Sequence, residues 1–449
     1  MVDSQSDRGT IRGNMKTAIV GGGLSGLTIG YLLNKQGLQF EVLEQAPSCG
    51  GLLRTLNEKG FTFDLGGSHI IFSKNESVLK FMLELLKGNK VKNKRNTKVL
   101  YKGCYVKYPF ENGLSDLPLE ENFECLNSFI HGLLSRAKEG DCKAVNLEEW
   151  FYRTFGDGIT EKYLIPYNEK IWKFSVKEMG LDWVERIPDP PVEDIIRSSL
   201  GISTEGYTHQ INFFYPKIGG IETVVNCLSR EMLDRITNNF LVTEVSREGN
   251  QWLVSNGQAF KKFDHIISTI PVQELILAVD APKEVRLAAK NLKYNSLITV
   301  MIGLNQKRLN DLSWLYIPDK HVLTHRVSFP SNYSPCVAPS NESSVLAEIT
   351  CIPGDEVWNW KDEDLIDKVI TDLSSLGIMD KQAVNFANVS RSKYAYVIND
   401  LDYRKNLSTI KKYFETLGID LVGRFSEYEY MNMDACIASA MKLIKRLTS

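Results

Sequence analysis

The chain has 449 residues, 43 % of them hydrophobic and 24 % charged, with a formal net charge of −2. That length predicts two or three domains rather than one simple core. The near-zero balance excludes a global field for nucleic acid or an anionic membrane, so any anion site must rest on local arginines and lysines.

In chain order, residues 1–14 are polar, which predicts a disordered extension rather than a secretory leader, with Met15 as an alternative start. Ala18-Ile-Val then reads as a buried parallel strand, and Leu24 to Asn34 as a helix. The turn between them is Gly21-x-Gly23-x-x-Gly26. It supplies one glycine for the tight turn, one for backbone approach to a pyrophosphate and one for close helix–strand packing. The pyrophosphate then lies on the helix N-terminus, where free N–H groups and the dipole favour an anion. Glu44 ends the second strand, 18 residues after Gly26, placed to accept hydrogen bonds from an adenosine ribose. Gly50-Gly51-Leu52-Leu-Arg54 adds a second glycine pair and an arginine on the pyrophosphate. That pairing points to FAD held along its length rather than to NAD. Ser25, Gln45, Ile70 and Val242 complete the predicted cofactor wall.

From about Glu76 to Trp183 the pattern is largely helical (78–86, 125–137 and 147–155), and Asp189-Pro-Pro-Val closes it. A strand, a glycine turn and a helix follow over 213–233, then antiparallel strands over 239–270. Further strands are predicted at 297–304 and 344–351, a helix at 362–375, and a strand, loop and apolar helix over 421–447. The predicted fold class is therefore α/β, with interleaved domains. A Rossmann-type FAD-binding domain is assembled from 15–75, 213–290 and 395–449. A mainly helical insertion occupies 76–212, and an antiparallel-sheet substrate domain 291–394. No run of 18 apolar residues predicts a membrane span. The eight cysteines show no Cys-x-x-Cys or metal-like spacing and read as free thiols of a reducing cytoplasm; the six histidines form no ligand cluster, so no metal is expected.

Seven further motifs occur in order: Asp64-Leu-Gly-Gly-Ser-His69, Tyr108-Pro-Phe-Glu-Asn, Ile165-Pro-Tyr-Asn-Glu-Lys-Ile-Trp172, Glu185-Arg186, His325-Arg326-Val-Ser-Phe-Pro, Tyr394-Ala-Tyr396 and Gly423-Arg-Phe-Ser-Glu-Tyr-Glu-Tyr-Met-Asn-Met433. Together they resemble the UDP-galactopyranose mutases over nearly the whole chain. Amine oxidases and protoporphyrinogen oxidases are wider relatives that share the FAD domain. The resemblance implies that Tyr167 stacks on the uracil, with Trp172 near the diphosphate and sugar. It implies that Arg186 and Arg326 bind the diphosphate, and that Tyr396 and Tyr430 do so near the flavin. Tyr108 and, after the first arginine, Tyr207 are further candidate substrate contacts. Gly423, Arg424 and Met433 would hold the flavin, with His69 under its ring. Asn432 joins the catalytic set where bacterial members carry aspartate. Glu111 stands where the eukaryotic-type motif has an amide.

Physical sense supports these roles. Guanidinium forks suit phosphate, buried tyrosine hydroxyls are neutral donors, and an aromatic face stacked on a base is worth about 1–3 kcal/mol. The implied activity is a mutase interconverting UDP-galactopyranose and UDP-galactofuranose in the cytoplasm, for cell-surface polysaccharide synthesis. It proceeds through a reduced-flavin N5–sugar adduct without net electron transfer. FAD would act reduced, with NAD(P)H as a candidate reductant, a UDP-sugar as partner and a homo-oligomer left open. The alternative is an FAD-dependent oxidoreductase of the amine oxidase or protoporphyrinogen oxidase type with a hydrophobic tunnel. A flavin-bearing binding protein is a third reading. Two converging arginines would distinguish the first.

Overall fold

A computed structural model describes residues 15–139, 143–187, 190–204 and 211–448 of the chain. The extension predicted at 1–14 lies outside these, as does Tyr207. The first strand, Lys16–Val20, is buried on both faces after its first residue, as a strand covered by helices on both sides must be. It forms the middle of a five-stranded sheet, flanked by Gln39–Leu43 and His265–Ser268, with Ile236–Thr237 and Ile419–Leu421 at the edges. Every pairing in this sheet is parallel. The helix Leu24–Lys35 leaves the first strand through the glycine turn and packs against the helix Met433–Thr448. Their shared core includes Leu27, Leu33, Val42, Ile267, Ile437 and Ile444.

The second layer is a seven-stranded sheet. Its long strands Lys293–Leu304, Ser343–Cys351 and Val384–Ile398 pair antiparallel. The short strands Arg326–Ser328 and Trp314–Tyr316 continue it. The helix Asp362–Ser375 covers one face through Leu365, Val369 and Leu373. The helices Leu119–Glu139 and Leu147–Ile159 pack on each other and share a core with Ile165–Trp172 and with Leu297 and Tyr396 of the sheet, where the Trp172 ring meets Tyr396 edge-on.

One segment's content and one boundary differ from the sequence reading. The segment expected to be mainly helical contributes three strands, Val91–Lys94, Thr97–Tyr101 and Cys104–Lys107. The last two extend the large sheet, because Thr97–Tyr101 runs parallel beside Trp314–Tyr316. The boundary at 395 falls inside Val384–Ile398, a single strand of 15 residues. Among the described residues no helix is long and apolar enough to cross a membrane.

Candidate active site

The space between the two layers is a cleft of about 940 Å³. One end is made by glycines. Gly21 has φ +105°, and a Cβ on Gly26 would sit 1.9 Å from the Gly21 carbonyl oxygen, so the helix approaches the turn only without a side chain there. The second glycine pair abuts the first. Gly50 N–H donates to Gly22 O at 2.9 Å, and a Cβ on Gly51 would come within 3.3 Å of the Gly23 Cα. Helix Leu24–Lys35 has no side-chain cap, which leaves N–H groups of its first turn for an anion.

Gly21, Gly23, Ser25, Glu44, Gln45, Gly51, Leu52, Arg54, His69, Ile70, Val242, Asn432, Arg424 and Met433 all line this one cleft, as does Arg326. Gly26 and Gly423 lie behind the wall; a Cβ on Gly423 would strike Ser25 Oγ at 2.4 Å. Glu44 is fixed by two amides, Gly22 N–H at 2.7 Å and Ala46 N–H at 2.8 Å, each carboxylate oxygen keeping a lone pair for a hydroxyl. Half-buried Arg424 spends one nitrogen on Met431 O, while its Nε and Nη2 have no hydrogen-bond partner among the described residues. Narrow glycine cradles, an uncapped helix start and an orphaned guanidinium fit a dinucleotide with an anionic middle and a flat ring.

His69 adjoins the ring end. Burial lowers its pKa to about 4, assisted by the charges of Arg326 and Arg424. The imidazole is therefore neutral. Its Nδ1–H donates to Gly67 O at 2.8 Å, which leaves Nε2 as an acceptor.

Arg326 stands where the cleft meets a wall of half-buried tyrosines. Its partner is Glu348, 0 % exposed, which accepts from Nε at 3.0 Å and Nη2 at 2.6 Å. The two residues are register partners on neighbouring strands. Glu348 also accepts from Ser68 N–H at 3.0 Å, which ties the histidine loop to the same carboxylate. Burial opposes the Arg326 charge, but Glu348 overrides it and holds the guanidinium above its ordinary value. Tyr316, opposite Arg326 across the hairpin, packs 5.1 Å from Tyr108 and 5.2 Å from Tyr167 between ring centres. Burial keeps the Tyr167, Tyr316 and Tyr396 hydroxyls protonated, all above the ordinary phenol value. Tyr396 and Tyr430 stack 6.0 Å apart, and the Arg424 guanidinium lies 4.4 Å from the Tyr430 ring centre.

Several sequence expectations change here. Trp172, expected near the diphosphate and sugar, is 1 % exposed; its indole N–H donates to Asn168 Oδ1 and its ring packs edge-on against Tyr396 and Tyr430. Glu111, which beside a diphosphate would have to be protonated or turned away, is buried and is not among the residues lining the cleft. Arg186 ends the turn Leu181–Arg186, but its side chain lies outside the described residues. Glu348 and Tyr316 were missed. For Glu348 a signal existed: a single acid inside the apolar run Val345-Leu-Ala-Glu-Ile demands a buried partner. Tyr316 carried no such mark.

A profile of the flavin-containing amine oxidoreductases matches residues 24–413. The chain belongs to that family. Among solved structures, this flavin-containing amine oxidoreductase is similar to reduced UDP-galactopyranose mutase, with a TM-score of 0.89, 24 % identity, and 97 % of this chain and 95 % of that one covered. It is also similar to a protein assigned as protoporphyrinogen oxidase from Exiguobacterium sp. 255-15 (TM-score 0.75, 19 % identity, 97 % and 99 % covered). Such identities speak to a shared fold alone. In sequence it is 37 % identical over 78 residues to the inactive all-trans-retinol 13,14-reductase of Danio rerio. That match spans 17 % of this chain and 13 % of the relative's length.

Proposed function

We propose that the protein is an FAD-dependent mutase of a nucleotide sugar, interconverting pyranose and furanose forms of UDP-galactose or a close relative. The observation that carries the reading is Arg326, a guanidinium oriented by Glu348 at the junction of the cofactor cleft and the Tyr108–Tyr316–Tyr167 wall. A cationic fork beside neutral phenol donors and aromatic faces suits a nucleoside diphosphate better than a hydrophobic amine or a porphyrin. In this reading 15–75, 213–290 and 395–449 serve the cofactor, and 291–394 with the 76–212 insertion serves the substrate.

A bound, reduced flavin supplies an electron-rich nitrogen for attack at the anomeric carbon. The chain supplies the rest. Arg326, joined by Arg186, offsets charge on the departing diphosphate. Tyr396 and Tyr430 donate to its oxygens without repelling one another. The neutral His69 accepts at Nε2 beside the ring, and Tyr167 and Tyr108 offer faces to the base. Asn432 in place of an acid leaves the sugar end uncharged.

The test is to incubate reduced protein with UDP-galactofuranose and chromatograph the products; absence of UDP-galactopyranose sinks the reading. Arg326→Lys keeps a charge for Glu348 but loses the fork, so UDP should bind about tenfold more weakly with flavin content unchanged. One observation favours the oxidoreductase alternative: Glu348 cancels the Arg326 charge, which lessens the pull on a dianion. Oxygen uptake tracking product one-to-one would select that reading.

A further inference from the structure

We propose that Lys170 is a positioning residue whose ammonium bolts the tyrosine-bearing helix Ile165–Trp172 to the loop at 317–324, and thereby sets the spacing between Tyr167 and the Tyr316–Arg326 hairpin. The proposal rests on the nucleotide-sugar reading only for its choice of UDP as probe.

The geometry is that of a saturated ammonium. Lys170 Nζ donates to Ile317 O at 2.8 Å, Asp319 O at 2.7 Å and Thr324 O at 2.8 Å. An ammonium has three N–H donors and no acceptor, so three carbonyls consume it completely. The loop that it gathers joins the strands Trp314–Tyr316 and Arg326–Ser328, which carry the tyrosine and the arginine of the site. The helix end is itself docked on the large sheet. Thr350 Oγ1 donates to Lys170 O at 2.8 Å, and Asn295 Nδ2 donates to Ile171 O at 2.7 Å. The lysine is thus the polar tie from a fixed helix to a hairpin loop. Tyr167 lies three residues before it, with its ring already against Tyr316.

The tie is sensitive to protons. A neutral amine has only two N–H groups, and its lone pair would face a carbonyl oxygen, so one of the three bonds must fail. Lys170 is 8 % exposed, and burial lowers its pKa to about 7, with Lys173 pushing the same way and Asp319 and Asp372 opposing. The neighbouring imidazole, His325, is held neutral by burial and by the charges of Arg326, Lys170 and Lys173, so it offers no compensating charge. Raising the pH through neutrality removes the third donor and loosens the loop.

The experiment uses the flavin-bound protein and its Lys170→Met variant at pH 6 and pH 8.5. It reads amide hydrogen exchange over 314–328, corrected for intrinsic pH dependence, and UDP affinity by calorimetry. At pH 6 the variant should exchange this hairpin about tenfold faster than wild type and bind UDP about tenfold more weakly, with exchange over 16–54 unchanged. Wild type at pH 8.5 should resemble the variant, and the variant should be flat with pH. Equal exchange over 314–328 in the two proteins at pH 6, or the same pH response in both, overturns the proposal. If wild type binds no UDP, the nucleotide reading fails and the exchange data alone judge the tie. If the variant does not fold, the wild-type exchange profile decides: no acceleration of the hairpin above pH 7 rejects it.

Discussion

The two sides of the cleft are encoded differently. On the cofactor side Gly21, Gly23 and Gly26 lie within six residues of one another; Gly21 is held at a φ of +105°, and a Cβ on Gly26 would stand 1.9 Å from the Gly21 carbonyl oxygen. On the tyrosine side Tyr108, Tyr167, Tyr316, Arg326 and Glu348 come from four segments of the chain. Strand register sets Tyr316 opposite Arg326 and Arg326 opposite Glu348, and ring contacts on Tyr316 bring in Tyr108 and Tyr167. Backbone approach is written as missing side chains in one stretch, whereas side-chain constellations are written as pairings between stretches.

Breaking the first kind of encoding should be all-or-none. Gly26→Val places a branched side chain where the Gly21 carbonyl stands, and the purified variant should carry no flavin absorbance. Breaking the second should cost less and leave the cofactor in place. Glu348→Ala strands Arg326 beside an apolar strand, so urea unfolding should show a loss of about 3 kcal/mol while flavin is retained. Loss of flavin in that variant would mean that the two sides are one cooperative unit.

A carboxyl buried away from the cleft lining offers a finer probe. Burial raises the Asp64 carboxyl from 3.8 to about 7, against hydrogen bonds from Ile221 N–H, Tyr215 and Thr55 that favour its charge. The native state therefore keeps a proton that the unfolded chain releases near pH 4. Stability falls as pH rises through that window, by at most about 1.4 kcal/mol per unit. Thermal melts at pH 6 and 7 should show this slope in wild type and its loss in Asp64→Asn. An identical slope in both proteins would assign it to another group.

This contrast also explains what could be read from the amino-acid sequence. The glycine turns, Glu44, Gly51 and His69 announce the cleft because their neighbours in the chain are their neighbours in space. The helix Asp362–Ser375 was legible from its apolar spacing. The strand Val91–Lys94 was not, since Val-Lys-Asn-Lys is short and polar, and only its antiparallel partner Asn212–Tyr215 makes it a strand. The burial of Trp172 was not legible either, because an aromatic in a motif looks the same whether it lines a cleft or packs behind its wall.

The parallel sheet carries a consequence for biogenesis. Its first strand is complete at Val20 and its neighbour Gln39–Leu43 follows at once, yet its other neighbour His265–Ser268 is made far later, and the edge strand Ile419–Leu421, Arg424 and Met433 later still. At translation speeds of roughly 5–20 residues per second, the opening strand waits on the order of tens of seconds with one edge bare. The cofactor cleft is therefore complete only when nearly the whole chain has been made, and until then Ala18, Ile19 and Val20 belong to a strand with an unpaired edge.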